Sequence, residues 1–256
     1  MDAEKRRVAI ARFIAENDGA DVAMLAKHFS VSPITIRRDR KILAAQNKIA
    51  VTHGGAVPIE YLMYQELPYS QKVNINLEKK KSIAKQAVSF ISDDSCIILD
   101  AGTTTLELAK LLIHKKLTVI TVDLHIALFL SQFPSIRVYT PGGEVNKEIQ
   151  CQLDNHSMQY LESVNASISF IGTAVWDDFK GVTSSTISKQ AIKRTIIEHA
   201  ETAILLADSS KYGLCNPWNV TSLKSFTHII TDDGLSTDDC QEINQAGGNL
   251  ILAKRE

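Results

Sequence analysis

The chain has 256 residues, 45% apolar and 22% charged, enough to bury a sizeable core in one large domain or a large one with a small one. No stretch approaches the roughly 20 apolar residues that a membrane helix needs, the opening Met1-Asp2-Ala3-Glu4-Lys5-Arg6-Arg7 argues against a secretory signal, and four widely scattered cysteines fit a reducing, cytoplasmic location. The net charge of −1 divides unevenly: residues 1–56 carry ten Lys/Arg against six Asp/Glu, a net of +4, while the remainder carries 18 against 23. A basic head on a mildly acidic body is expected where only the head meets a polyanion.

Residues 5–18 read as a helix, with Ile10, Phe13 and Ile14 at i, i+3, i+4 spacing and Gly19 as its stop. Asp21 is a suitable N-cap for a second helix whose Val22, Leu25 and Phe29 share a face. Ser32 caps a third, Pro33 suits its first position, and it runs to about Ala45. Two short helices at a tight turn, the second rich in Arg, match a helix-turn-helix. Lys48–Val57 then reads as two short strands around His53-Gly54-Gly55, a wing whose glycines permit positive φ.

On the third helix Ile34, Arg37, Arg38 and Lys41 fall on one face with Thr35 beside them, and Ile36 and Leu43 lie on the other. Taken alone, this pattern also describes a solvated basic face. Between a helix-turn-helix and a wing it describes a recognition helix. Arg can chelate guanine edges or hold phosphates, and Ser or Thr near the helix start can contact phosphate. The candidate DNA-binding residues are Ser32, Thr35, Arg37, Arg38, Lys41 and His53, and the partner is double-stranded DNA.

Residues 58–77 lose periodicity, contain Pro58 and Pro68, and read as a linker. From Glu78 helices alternate with buried strands. Ile83, Ala84, Ala87, Val88 and Ile91 share a helix face, and strand-like runs follow at 96–99, 117–122, 136–139, 168–171, 203–207, 228–231 and 250–252. Repeated strand–helix units predict an α/β domain with a mainly parallel sheet covered on both faces.

The strand Ile97-Ile98-Leu99 runs into Asp100-Ala101-Gly102-Thr103-Thr104-Thr105 and a helix. A helix N-terminus offers unpaired N–H groups and a positive dipole end, so this loop suits a phosphate monoester, though a strand–helix turn without ligand has the same look. It lacks Walker A spacing. Pro141-Gly142-Gly143 and Asp208-Ser209-Ser210-Lys211 follow two other strands and could converge on it, with Lys211 supplying a point charge. The candidate anion-binding residues are therefore Asp100, Gly102, Thr103, Thr104, Thr105, Gly142, Gly143 and Lys211. The histidines show no metal-ligand spacing, no GxSxG elbow is present, and the four scattered cysteines form no CxxC pair. No cofactor, metal or catalytic residue is assigned. Trp176 and Trp218 read as packing or subunit-contact residues.

These motifs resemble the DeoR/GlpR family of bacterial sugar-metabolism repressors. The head carries Val31-Ser32-Pro33-Ile34-Thr35-Ile36-Arg37-Arg38-Asp39 and His53-Gly54-Gly55-Ala56. The body carries Glu78-Lys79, the Asp100–Thr105 loop, Pro141-Gly142-Gly143, Phe170-Ile171-Gly172, Gly181-Val182-Thr183 and 206–213. The resemblance implies an effector domain similar to sugar-phosphate isomerases, repression of a carbohydrate operon relieved by a phosphorylated sugar or sugar alcohol, and a homodimer or homotetramer. It also implies that the Asp100–Thr105 loop and Lys211 belong to the effector site. Arg40, Asn47, Val51, Val122-Asp123, Asp154 and Thr186-Ile187 depart from the usual family residues.

Two other readings stay open at this level. A sugar-phosphate isomerase with an accessory head would need a base such as Asp100, Asp123 or Asp208. A winged helix that contacts protein would not need the Arg37/Arg38/Lys41 face. The domain scheme is a DNA-binding head at 1–57, a linker at 58–77 and an effector and oligomerisation domain at 78–256.

Overall fold

The computed structural model describes residues 2–17, 19–46, 48–52, 54–58 and 69–254. The head contains α1 (Ala3–Glu16), β1 (Ala20–Asp21), α2 (Val22–Phe29), α3 (Pro33–Ala45), β2 (Ile49–Thr52) and β3 (Gly55–Pro58). Each helix start is capped by a short oxygen-bearing side chain, which satisfies a backbone N–H that the helix itself leaves without a partner. Asp2 accepts from Ala3, Asp21 from Met24 and Ser32 from Thr35. Ser30, in the left-handed region at φ 53°, ends α2 and sets the tight turn. Ile10, Ile14, Leu25, Ile36 and Leu43 form the shared core, and each such side chain contributes about 1.5–3 kcal/mol by leaving water.

The wing pairs antiparallel, Thr52 opposite Gly55, and its strands join β1 in the order β1-β3-β2. The two wing glycines have different reasons to be glycine. Gly54 has φ +84°, whereas a Cβ on Gly55 would lie 2.5 Å from the Ala20 carbonyl across the sheet. Arg40 locks α3 to this wing, donating to the Gly55 carbonyl at 2.6 Å.

The body opens with α4 (Tyr69–Lys72) and α5 (Leu77–Val88), then β4 (Cys96–Leu99), α6 (Thr103–Lys110), β5 (Leu117–Thr121), α7 (Leu124–Leu130) and β6 (Ile136–Tyr139). It continues with β7 (Val145–Asn146), β8 (Cys151–Gln152), α8 (Asn155–Glu162), β9 (Ala166–Gly172), β10 (Val175–Asp177), β11 (Gly181–Ser184) and α9 (Ile187–Glu198). The last elements are β12 (Ala200–Leu206), β13 (Trp218–Thr221), β14 (His228–Asp232), α10 (Thr237–Gln245) and β15 (Leu250–Ala253). The seven strand-like runs of the sequence are the seven strands of one sheet, ordered β15-β14-β12-β9-β4-β5-β6 with every neighbouring pair parallel. Its two faces bury separate clusters, one around Leu99, Phe170 and Leu206, the other around Ile98, Ile171 and Leu205. Alternate residues of the central strands serve opposite clusters, as the pleat requires.

Two features go beyond the strand pattern. Part of the stretch read as a linker is ordered against the body: α4 lies within it, and Tyr69 stacks on His125 with ring centroids 3.5 Å apart. In addition, β10, β11 and β13 form a small antiparallel sheet. Its β10–β11 turn is built by the Asp177 carboxylate, which accepts the N–H groups of Lys180 and Gly181, with Gly181 at φ +74°.

Candidate functional site

A pocket opens at the C-terminal ends of the parallel strands, where open α/β sheets place ligands. The β4–α6 loop supplies Asp100, Gly102, Thr103 and Thr104, and the turn after β12 supplies Asp208, Ser210 and Lys211. The ordered lead-in to the body adds Lys72, Asn76 and Lys80, β11 adds Ser184, and α9 adds Lys189 and Lys193.

The start of α6 is open to a ligand. Gly102 occupies its N-cap without a side chain to satisfy the helix N–H groups, and the buried Thr104 hydroxyl has no hydrogen-bond partner among the described residues. A buried polar group left unpaired costs about 1–3 kcal/mol, which a bound anion accepting from it would recover. The Gly102 N–H itself is taken, since it donates to Asp123 at 3.0 Å. Asp123 also caps α7 through the N–H groups of His125 and Ile126. Burial raises its carboxyl above the ordinary range, opposed by these N–H donors.

The lining holds five lysines and three aspartates. Lys193 pairs with the buried Asp100 carboxylate and donates to the Gly172 carbonyl at 2.6 Å, while the Gly172 N–H donates to Asp100 at 3.1 Å. Lys211 donates to the Thr173 carbonyl at 2.8 Å and lies 3.6 Å from Asp208. Asn76 spans from α5 to Asp208 and Ser210, at 3.1 and 2.9 Å. Burial, with the nearby Lys211 charge, pushes the Lys80 ammonium down to about 8, and burial with Lys193 does the same to Lys189. Burial lowers Lys72 and Lys211 as well. Cations crowded out of water in this way gain most from an anion that restores their charged form.

Of the sequence-assigned effector residues, Asp100, Gly102, Thr103, Thr104 and Lys211 meet in this pocket. Thr105 does not: its hydroxyl turns back to donate to the Gly102 carbonyl at 2.8 Å, which tightens the first turn of α6. Gly142 and Gly143 also lie outside the lining. Their positive φ angles, +82° and +97°, make a turn pressed against the His156 and Asp154 side chains, and the Gly142 N–H is spent on Gln152.

In the head, α3 presents Arg37, Arg38 and Lys41 as the spacing predicts, with Arg38 exposed. Ser32 and Thr35 sit at the helix start, their hydroxyls 2.9 Å apart. His53 lies outside the described residues. Arg37 and Lys41 meet acids of the body: Arg37 is 3.2 Å from Asp238, and Lys41 is 2.7 Å from Asp178 and 3.4 Å from Glu242. Asp39, on the opposite side of α3, is buried between Arg6 and Arg7 and ties α3 to α1.

Residues 6–61 match the family model of the DeoR-like helix-turn-helix domain, and residues 75–233 that of the DeoR C terminal sensor domain. The chain belongs to the DeoR family. It is thus a DNA-binding transcriptional regulator with a sensor domain. It is 32% identical to the HTH-type transcriptional regulator YgbI of Escherichia coli (strain K12), covering 98% of each chain. It is 30% identical to the HTH-type transcriptional repressor GlcR of Bacillus subtilis (strain 168), covering 100% of this chain and 98% of the relative. Ribose 5 phosphate isomerase A from Neisseria gonorrhoeae aligns with 52% of each chain at 16% identity and a TM-score of 0.39.

The pocket lysines of this DeoR-family chain had a sequence signal that the loop motifs overshadow. Lys80 begins the stripe Lys80, Ile83, Ala84, Ala87 at i, i+3, i+4, i+7, and Lys193 sits between Ile192 and Ile196 on the buried side of α9. A lysine on an apolar helix face must reach a polar cavity or an acid, because its charge cannot stay in the core. Lys72, Asn76 and Lys189 carry no comparable mark.

Proposed function

We propose that this regulator is a cytoplasmic repressor of a carbohydrate-utilisation operon, released from its operator when a phosphorylated sugar or sugar alcohol binds the sensor pocket. The observation that carries this reading is the unpartnered Thr104 hydroxyl at the uncapped N-terminus of α6, facing a lysine-rich pocket. A phosphate monoester supplies up to two negative charges and several acceptors, which suits a lining with five lysines against three aspartates and the unpartnered Thr104 hydroxyl. Neutral hydroxyl-binding groups, namely Asn76, Ser184 and Ser210, line the remainder and suit a polyol. The repressor sense follows the name of the Bacillus subtilis relative.

A sensor rather than a catalyst is supported by the state of the three candidate bases. Asp100 is tied to Lys193 and the Gly172 N–H, Asp123 caps α7 and binds the Gly102 N–H, and Asp208 accepts from Asn76 and Ser210. A base for proton abstraction must instead reach the substrate carbon. The DNA-binding set on this reading is Ser32, Thr35, Arg37, Arg38, Lys41 and the wing His53, and paired heads of a homodimer or homotetramer would read repeated half-sites. No cofactor enters the scheme.

The test is a thermal-shift screen of phosphorylated hexoses, pentoses and alditols, followed by operator release in a gel shift with the best ligand. A selective ligand raises the melting temperature because it binds only the native state. Stabilisation by none of them, or turnover of one by the purified protein, overturns the reading.

A further inference from the structure

The contact between head and body pairs like spacing with like spacing. Arg37 and Lys41 stand at i, i+4 on α3, and Asp238 and Glu242 stand at i, i+4 on α10, so one helical ridge of cations faces one of carboxylates. Arg37 reaches Asp238, and Lys41 reaches Glu242. A third acid comes from a different part of the fold. Asp178, directly after β10, lies 2.7 Å from the Lys41 ammonium. Its other oxygen accepts from the Tyr212 hydroxyl at 3.1 Å, so the carboxylate is aimed before the head arrives. The charges of Asp178 and Glu242, with their hydrogen bonds, outweigh the burial that lowers the Lys41 ammonium, and its pKa lies above the ordinary value.

We propose that Asp178, Asp238 and Glu242 form a docking surface for the chain's own recognition helix, one that competes with DNA for Arg37 and Lys41. The inference rests on the reading of the α3 basic face as the DNA-facing one. The same two side chains cannot face a carboxylate ridge and enter a major groove together, so DNA binding requires the head to leave this surface. Each exposed ion pair is weak alone. Three carboxylates acting on one helix face shift the balance between docked and free heads by the sum of what they contribute, and apparent DNA affinity falls by the docked fraction.

Zero-length carbodiimide cross-linking of the full-length protein tests the docking directly, because it joins only ammonium and carboxylate groups already in contact. Peptides joined through Lys41 to Asp178 or Glu242 are expected in the free protein and lost when random-sequence duplex DNA is bound at low salt. A triple variant, D178N/D238N/E242Q, is expected to bind that duplex about 5- to 30-fold more tightly than the wild type. The control is E148Q/E162Q/E201Q, which removes the same charge from exposed positions elsewhere. Absence of the cross-link in the free protein, or equal tightening by the two triple variants, overturns the proposal. Failure of the underlying reading looks different: R38A would leave duplex affinity unchanged in both the wild-type and D178N/D238N/E242Q backgrounds.

Discussion

Asp123 accepts the Gly102 backbone N–H at 3.0 Å, so the carboxylate that caps α7 also reaches into the loop that opens α6. A buried carboxylate thereby stands beside the electropositive N-terminal end of a helix. Its repulsion works against any phosphate placed there, and burial has already made the ionised form costly. Asp123→Ser keeps an N-cap side chain for α7, so its stability cost is expected to stay under about 1 kcal/mol. Affinity for inorganic phosphate is expected to rise by about tenfold, read by calorimetry; an unchanged or lower affinity would place the anion elsewhere in the pocket.

Thr104→Val removes the unpartnered hydroxyl and keeps the side-chain shape. A hydrogen bond to a charged group is worth about 1.5–3 kcal/mol, so effector affinity is expected to fall by one to two orders of magnitude. DNA affinity in the absence of effector should not change. The paired measurement is a gel shift with and without ligand, and normal release of the variant from DNA would sink the assignment.

Lys193→Met strands the Asp100 carboxylate among buried groups, with only the Gly172 N–H still donating to it among the described residues. Breaking a buried pair on one side is expected to cost about 3–5 kcal/mol in unfolding free energy. Combining it with Asp100→Asn should recover much of that loss, because the charge left behind is then gone. Additive losses in urea melts would show that the two side chains do not act as a pair.

Effector affinity is expected to fall as pH rises from 7 to 9, earlier than an ordinary lysine would dictate. Lys80 and Lys189 titrate near 8, and an anion binds their protonated forms. Binding therefore takes up protons in this range and favours the lower pH, down to about 6 where the phosphate begins to lose its second charge. Calorimetry in two buffers of different ionisation enthalpy measures the uptake, and no proton uptake at pH 8 would exclude these lysines from the anion site.

Arg38→Ala and Lys41→Ala separate the DNA contact from the docking contact. Arg38 is exposed, whereas Lys41 meets Asp178 and Glu242. Arg38→Ala is expected to weaken operator binding by about 1–3 kcal/mol and, if it contacts phosphate, to flatten the salt dependence by about one unit of slope. Lys41→Ala loses a DNA contact and a docking contact together, so its net effect on affinity is expected to be smaller than that of Arg38→Ala. Gel shifts over a salt series check both, and a larger loss for Lys41→Ala would count against docking.

The parallel sheet is legible in the sequence because its central strands are short runs buried on both faces, filled mainly by apolar residues such as Ile97-Ile98-Leu99 or Ile204-Leu205-Leu206. The small sheet of β10, β11 and β13 is not, since strands such as Gly181–Ser184 carry little apolar pattern and depend on a turn made by one Asp177 side chain. In the pocket, the Asp100–Thr104 loop announces itself through local chemistry. Lys72 lies far in sequence from Lys189 and Lys193, which share α9, and they converge only through the packing of α4 and α9 around the strand ends. For Gly142 and Gly143 the signal is two-sided: positive φ explains a glycine pair whether or not a ligand is near. The pairing of α3 with α10 is equally silent, because i, i+4 charges decorate most solvated helices.

Lys211 and Tyr212 are consecutive residues at the end of one short 3-10 turn, yet they serve different neighbours. The ammonium of Lys211 lies on the Thr173 carbonyl in the pocket, and the hydroxyl of Tyr212 lies on Asp178 beneath the head. Two adjacent side chains on so tight a turn leave the backbone in divergent directions. One short turn of backbone thus anchors a cation of the pocket and the phenol that aims Asp178 at the head.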